Sequence, residues 1–138
     1  MAYEVLFLVG RLIVGSYYVT SGANHFLKWD MLTAYLKSKT KYATSKHDVP
    51  LAKWAVLFSG LLLLLGGVSV LIGLYPQLGV LCLVTFFLGV SFKMHNFWAV
   101  PEEQKMAEKI NFMKNMALLG SALMWLAVEA PWPFSLGF

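Results

Sequence analysis

Apolar positions dominate this chain in long, nearly unbroken stretches. Residues 54–92 include no Asp, Glu, Lys or Arg. As one helix that run would be about 58 Å long at 1.5 Å per residue, against a hydrocarbon core of about 30 Å. A single straight helix does not fit, and the run contains one break, Gly73-Leu74-Tyr75-Pro76-Gln77. Proline starts a helix well and continues one badly. The pattern therefore predicts two spans here, 51–74 and 76–95, joined by a tight turn. A first span is predicted at 3–26, interrupted only by Glu4 and Arg11. A last one, the shortest and most polar, is predicted at 111–128, ending at Glu129 before Pro131 and Pro133. Backbone groups in lipid must be satisfied within the segment, so these spans are helices. The alternation that a membrane β-strand needs is absent.

Composition agrees with this pattern. The chain has 138 residues, 59% of them hydrophobic and 13% charged, where a soluble domain is about 25% charged. A water-soluble core of this length could not hide that much apolar surface. The expected architecture is all-α: one domain, 1–138, forming a polytopic membrane four-helix bundle. No linker or internal repeat interrupts it. No cleavable signal peptide is expected, because the first residues lack a basic region and a small-x-small cleavage site. Small residues that let helices approach closely mark candidate seams at Gly15, Gly22, Ser59, Gly60, Gly67, Ala117, Gly120 and Ser121.

The charges then set the orientation. Lys28, Lys37, Lys39, Lys41, Lys46 and Lys53 follow the first span, and Lys93, Lys105, Lys109 and Lys114 surround the start of the last. Ten of the eleven basic side chains thus fall on one side. The positive-inside rule puts that side in the cytoplasm and both termini outside, which suits a bacterial inner membrane. Lysines placed between apolar runs are better explained by this than by a nucleic-acid partner. Within the first loop, Asp30 can cap a short helix. Met31, Leu32, Tyr35 and Leu36 share one face of it, so it is expected to lie along the membrane surface.

Candidate chemistry gathers at the same end. The first span ends with Asn24 and His25, the third with Lys93, His95, Asn96 and Trp98, and the fourth begins with Lys114 and Asn115. Such groups at the edge of the hydrocarbon are costly unless paired. They are expected to form one pocket walled by Phe26, Trp29, Phe97, Trp98 and Phe112. One reading is a ligand site for an amphipathic molecule such as a quinone, which offers two carbonyl acceptors and an apolar tail. The other is a helix-end hydrogen-bond network that knits the bundle, with Trp29 and Trp98 as interfacial anchors. A bis-His haem between His25 and His95 is not expected, because lone histidines are usually just hydrogen-bonded. His47 reads as a solvated loop residue. No cluster has metal-ligand spacing, and no motif for self-sufficient catalysis appears.

Arg11 stands about 12 Å along the first helix from Tyr3 at helical rise. Its charge is costly there unless paired. Glu4 lies two turns away on the same face and Glu129 belongs to the same outer end. The expectation is a structural ion pair of Arg11 with Glu4 or Glu129, set against an anion or headgroup clamp. Cys82 has no nearby charge in sequence and reads as an inert core thiol.

These segments resemble the DoxX family of small four-span bacterial membrane proteins over most of the chain. The likeness lies in Gly10-Arg11-Leu12-Ile13-Val14-Gly15, Ser21-Gly22-Ala23-Asn24-His25-Phe26, Ala34-Tyr35-Leu36, Val49-Pro50-Leu51-Ala52 and Ser59-Gly60-Leu61-Leu62-Leu63-Leu64-Leu65-Gly66. The most specific part is His95-Asn96-Phe97-Trp98 with Phe112-Met113-Lys114-Asn115-Met116-Ala117-Leu118-Leu119-Gly120. The resemblance implies a four-helix membrane bundle linked to sulfur or thiol oxidation and quinone respiration. Relatives often carry an acidic residue early in the second span, where this chain has Ala55, Val56 and Leu57.

The leading expectation is a quinone-interacting accessory subunit of a membrane oxidoreductase. In it His25 and His95 donate to a quinone carbonyl, Asn96 and Asn115 orient it, and Lys93 or Lys114 steadies the reduced anion. Another chain supplies the electrons. The alternative is a non-enzymatic structural or assembly subunit that binds lipid or a larger membrane complex, with a homo-oligomer as the other partner arrangement. A small transporter is a third class, but the paired intramembrane carboxylates and broken helices such sites often use are missing.

Overall fold

A computed structural model describes residues 1–39 and 48–136, and among these there is no strand. Five helices follow one another: α1 Ala2–Leu27, α2 Trp29–Lys39, α3 Asp48–Ile72, α4 Pro76–Met94 and α5 Glu102–Met124. Short 3-10 turns, Phe97–Ala99 and Trp125–Ala127, flank α5. Lys41, Lys46 and His47 lie outside the described residues.

The expected break at Pro76 is present and has a local cause. Gly73 takes φ +73°, a left-handed conformation that favours glycine, and ends α3. Its N–H and that of Leu74 both donate to the Ser69 carbonyl, at 2.8 and 3.1 Å. The Ser69 hydroxyl donates onward to the carbonyls of Leu74 and Tyr75. Pro76 then opens α4 where a missing N–H costs nothing.

Sequential helices pack on each other: α1 on α3, α3 on α4, α4 on α5, with α2 laid against α3. Glycines set the spacing of the first two seams. A Cβ on Gly22 would stand 2.8 Å from the Leu64 nitrogen, and one on Gly67 2.8 Å from the Val19 nitrogen. Gly15 and Gly60 are similarly crowded, so the seam expected of these four residues is the α1–α3 contact. Gly66 and Gly79 do the same between α3 and α4. The expected seam on the last helix is absent. Gly120 faces open space, and Ala117 and Ser121 are exposed.

Tyr18, Leu63, Val70, Val80, Leu83, Phe87, Ala122 and Trp132 form the core. Many larger apolar side chains point outward, among them Leu6, Ile13, Phe58, Leu78 and Leu81. That is a surface made for lipid. Among the described residues three helical segments are long and apolar enough to cross a membrane: Ala2–Leu27, Pro50–Ile72 and Pro76–Ala99.

The last helix departs from expectation. It begins at Glu102, nine residues before the start predicted for the fourth span, and its α-helical part stops at Met124. Glu, Gln and Lys are good helix formers, and Glu102 and Glu103 suit a helix N-terminus. The charged stretch read as loop therefore joins the helix, and its charges keep α5 out of the apolar class. Even so, α5 runs the height of the bundle. Glu108 bonds to His95 at one end, and the segment after α5 reaches Arg11 at the other.

Candidate functional site

The His95 end is built by α1, α2, α4 and α5. His25 sits in the last turn of α1, where its Nδ1–H donates to the Ser21 carbonyl at 2.9 Å. A carbonyl only accepts, so this contact fixes the proton on Nδ1. His95 follows directly on α4, its Nδ1 2.8 Å from Oε2 of Glu108. Glu108 is only 5% exposed. Its other oxygen takes the ammonium of Lys39, the last residue of α2, which also donates to Gln104 Oε1 at 3.3 Å. Burial alone would raise the Glu108 carboxyl, but the hydrogen bonds from Lys39 and His95 outweigh it and hold the group below its usual range. The hydrogen bond to Glu108 correspondingly raises Lys39. An ionised Glu108 makes His95 Nδ1 the donor. In both histidines Nε2 is then the uncommitted nitrogen: an acceptor while the ring is neutral, a donor only when the ring is charged.

Beside these residues lies a cavity of about 520 Å³, between α2, α3 and α4. Its walls are mostly aliphatic and aromatic: Leu32 and Leu36 from α2, Ala52, Val56 and Leu62 from α3, Phe86 and Val90 from α4. Ser59 and Thr85 also line it, but their hydroxyls donate to carbonyls of their own helices. The polar groups left are His25, Lys93, His95 and the Tyr35 phenol. Gly89 adds open space to the wall. A smaller recess of about 160 Å³ lies between α1 and α5 over Leu63, Phe86, Phe87 and Val90 of α3 and α4, and includes Tyr17, Ser21, His95, Lys114 and Asn115.

The single pocket expected from sequence is thus two. His25, Lys93 and His95 share the large cavity, while Lys114 and Asn115 meet His95 in the small recess. Asn24, Asn96 and Trp98 line neither. The Asn24 carbonyl caps the end of α1 by accepting the Lys28 N–H, and Asn96 supports the 3-10 turn that follows it. Trp98 belongs to an aromatic cluster with Phe92, Phe97 and Phe112, centroids 5.1–6.1 Å apart. The expected walls also change. Phe26 packs towards Gly60, Trp29 lies under the Lys53 ammonium at 3.6 Å, and Phe58 and Phe86 face the cavity instead. Met31, expected on one face of α2 with Leu32, Tyr35 and Leu36, is 60% exposed and does not join them at the cavity. Sequence reasoning missed Glu108 and Lys39. The available signal was the helical spacing of Glu108 and Asn115, two turns apart on what proves to be the buried face of α5.

The Arg11 ion pair is corrected. Glu4 lies 3.1 Å from the Met1 amino group and Glu129 is exposed. Arg11, 2% exposed, donates to the Pro133, Phe134 and Leu71 carbonyls at 2.8, 3.2 and 3.4 Å. The rings of Phe7 and Trp132 flank it at 5.9 and 5.8 Å. Backbone carbonyls at the turn and tail reach a planar fork of donors where the shorter carboxylate side chains do not. Among the described residues, no group of three or more His, Cys, Asp and Glu side chains is placed to hold a metal ion.

Span-length apolar helices, an outward apolar surface and polar groups collected at one end define a polytopic α-helical membrane protein. The chain belongs to the DoxX family, whose family model matches residues 6–96, from α1 to the residue after His95. The match stops before α5 and so does not reach Glu108, Lys114 or Asn115. No curated protein and no solved structure matches the chain.

Proposed function

We propose that this protein is a quinone-interacting accessory subunit of a respiratory or sulfur- or thiol-oxidising membrane oxidoreductase. It resides in the bacterial inner membrane, crossing it four times with basic loops in the cytoplasm and both termini outside. The observation that carries this reading is the apolar cavity of about 520 Å³ with His25, Lys93 and His95 among its few polar groups. Its size and lining match sites for amphipathic small molecules.

The residues present fit a quinone head and the first part of its tail. The aliphatic walls of α3 and α4 hold apolar chain and exclude water. His25, His95 and Tyr35 would meet the quinone oxygens, and Lys93 would supply a nearby cation. A quinone bound there supplies two-electron, two-proton chemistry, with electrons coming from a partner chain. This chain's contribution is binding and proton handling. With Nδ1 committed, each neutral imidazole offers Nε2 as an acceptor, which suits the hydroxyls of the reduced, quinol form. Glu108 holds the His95 ring by its Nδ1, so that Nε2 stays free for a ligand.

Lipid extraction from protein purified in mild detergent, followed by chromatographic assay of quinone, tests this. Retained quinone is expected, with affinity lowered about tenfold in His95→Ala, as for loss of one good hydrogen bond. Absence of quinone from the wild-type extract, with no change in His95→Ala, removes the proposal. A structural or assembly subunit is favoured by a different observation, the almost wholly apolar lining, which accepts a lipid chain as readily. A stoichiometric large partner without quinone supports that second reading.

A further inference from the structure

The small recess shares His95 with the large cavity, but its other polar groups, and so its chemistry, differ. Because α1 packs on α3 and α5 on α4, α1 and α5 flank a cleft. Asn115 is 7% exposed, lines this cleft, and its side-chain amide has no hydrogen-bond partner among the described residues. The amide is therefore open to the cleft, where a ligand or water can bond it. Ser21 points the same way. The hydroxyls of Thr20, Thr85 and Ser121 each turn back to the carbonyl four residues earlier, at 2.8, 2.8 and 2.9 Å. Ser21 makes no such bond and lines the cleft instead. Lys114 is exposed at the cleft and tied only to Asn111 Oδ1 at 3.3 Å, so its ammonium has donors to spare.

No carboxylate lines the cleft. Glu108 reaches the region only through His95, and Lys39 offsets its charge. Ser21, Lys114 and Asn115 can all donate, and one of them is a cation. Their complement is an acceptor carrying negative charge. The volume equals about five waters at ~30 Å³ each, enough for a tetrahedral oxyanion. We propose that the α1–α5 cleft binds a phosphate group, with Lys114 as counter-charge and Asn115 and Ser21 as hydrogen-bond donors. A phospholipid headgroup and free inorganic phosphate share this chemistry. The site goes beyond the quinone reading and does not depend on it.

Wild-type protein in a phosphorus-free detergent would be titrated with dihexanoyl phosphatidylglycerol and, separately, with inorganic phosphate, following ³¹P line broadening. Saturable binding of at least one is expected, weakened about tenfold by Lys114→Gln and by Asn115→Leu. Tighter binding of the short-chain lipid assigns the site to a headgroup, and equal or tighter binding of inorganic phosphate assigns it to the free ion. No saturable binding of either, or unchanged affinity in Lys114→Gln, overturns the proposal and leaves the cleft to water. Lys114 is exposed, so that variant keeps the test decisive if Asn115→Leu fails to fold. Both variants should retain quinone, and Gly89→Leu, which obstructs the large cavity, should retain phosphate. The two sites can therefore fail separately.

Discussion

The two ends of this bundle both bury charge, but they use it differently. At the Arg11 end, a guanidinium is packed against three carbonyls and two aromatic rings, and Trp132 beside it is 2% exposed. The chain's last described segment is pinned there, with the Leu136 N–H donating to the Ile72 carbonyl at 2.8 Å. At the His95 end, Glu108 joins α2, α4 and α5 through Lys39 and His95, and the polar side chains border open space on two sides. Charge that meets only backbone and rings secures a fold. Charge that meets a cavity has capacity left for a ligand.

The sharpest way to break this contrast is at the packed end. Arg11→Met leaves buried carbonyls without donors and should cost about 3 kcal/mol. The loss should appear as a lower melting temperature in detergent and faster proteolysis after Val128, with quinone retention unchanged. Loss of quinone as well would mean that the ends are not separate. At the hollow end, Glu108→Gln removes the charge that Lys39 and His95 share and should cost roughly 2 kcal/mol. Unlike Arg11→Met, it should also weaken quinone retention, because His95 loses the carboxylate that fixes its Nδ1 as donor and leaves Nε2 for the cavity.

A smaller effect follows from pH. Glu108 is held below the usual carboxylate range, so its contribution to stability is present at neutral pH and lost as pH falls through its folded value. Lys39 is raised, so its contribution is present below the usual lysine range and lost as pH rises through the folded value. Melting temperature should therefore form a plateau across neutral pH with a fall at each extreme. Glu108→Gln should flatten both falls, because the carboxylate that is lost is also the group that raises Lys39.

Much of the framework was legible from residue pattern. The uncharged run split at Pro76 because two covalent facts, proline's missing donor and the freedom of Gly73, act locally. The α1–α3 seam was legible because small residues recur on single helix faces. The start of α5 was not. Charge marks where a chain leaves lipid, but it does not end a helix, so Glu102–Lys109 read as loop. Arg11 found carbonyls rather than Glu4 or Glu129 because a tail distant in sequence folds back over it. That is a tertiary contact without sequence periodicity. His25 and His95 were brought near one cavity as expected, since alternating span direction forces it. The division into two recesses follows α4, whose Phe86 and Val90 line both, while α2 walls the larger one through Leu32, Tyr35 and Leu36.

The central claim is that the large cavity is a ligand site. Gly89 lines it, sits within α4 and has no atom within 4 Å of where a Cβ would stand. Gly89→Leu should therefore fold at least as well as the parent, gaining up to about 1 kcal/mol from helix propensity, while obstructing the cavity. The most direct measurement is quinone per protein chain in the wild type and in Gly89→Leu, purified side by side from the same membranes. Near-stoichiometric quinone is expected in the first and little in the second. Equal amounts in both, or none in the wild type, would contradict the claim.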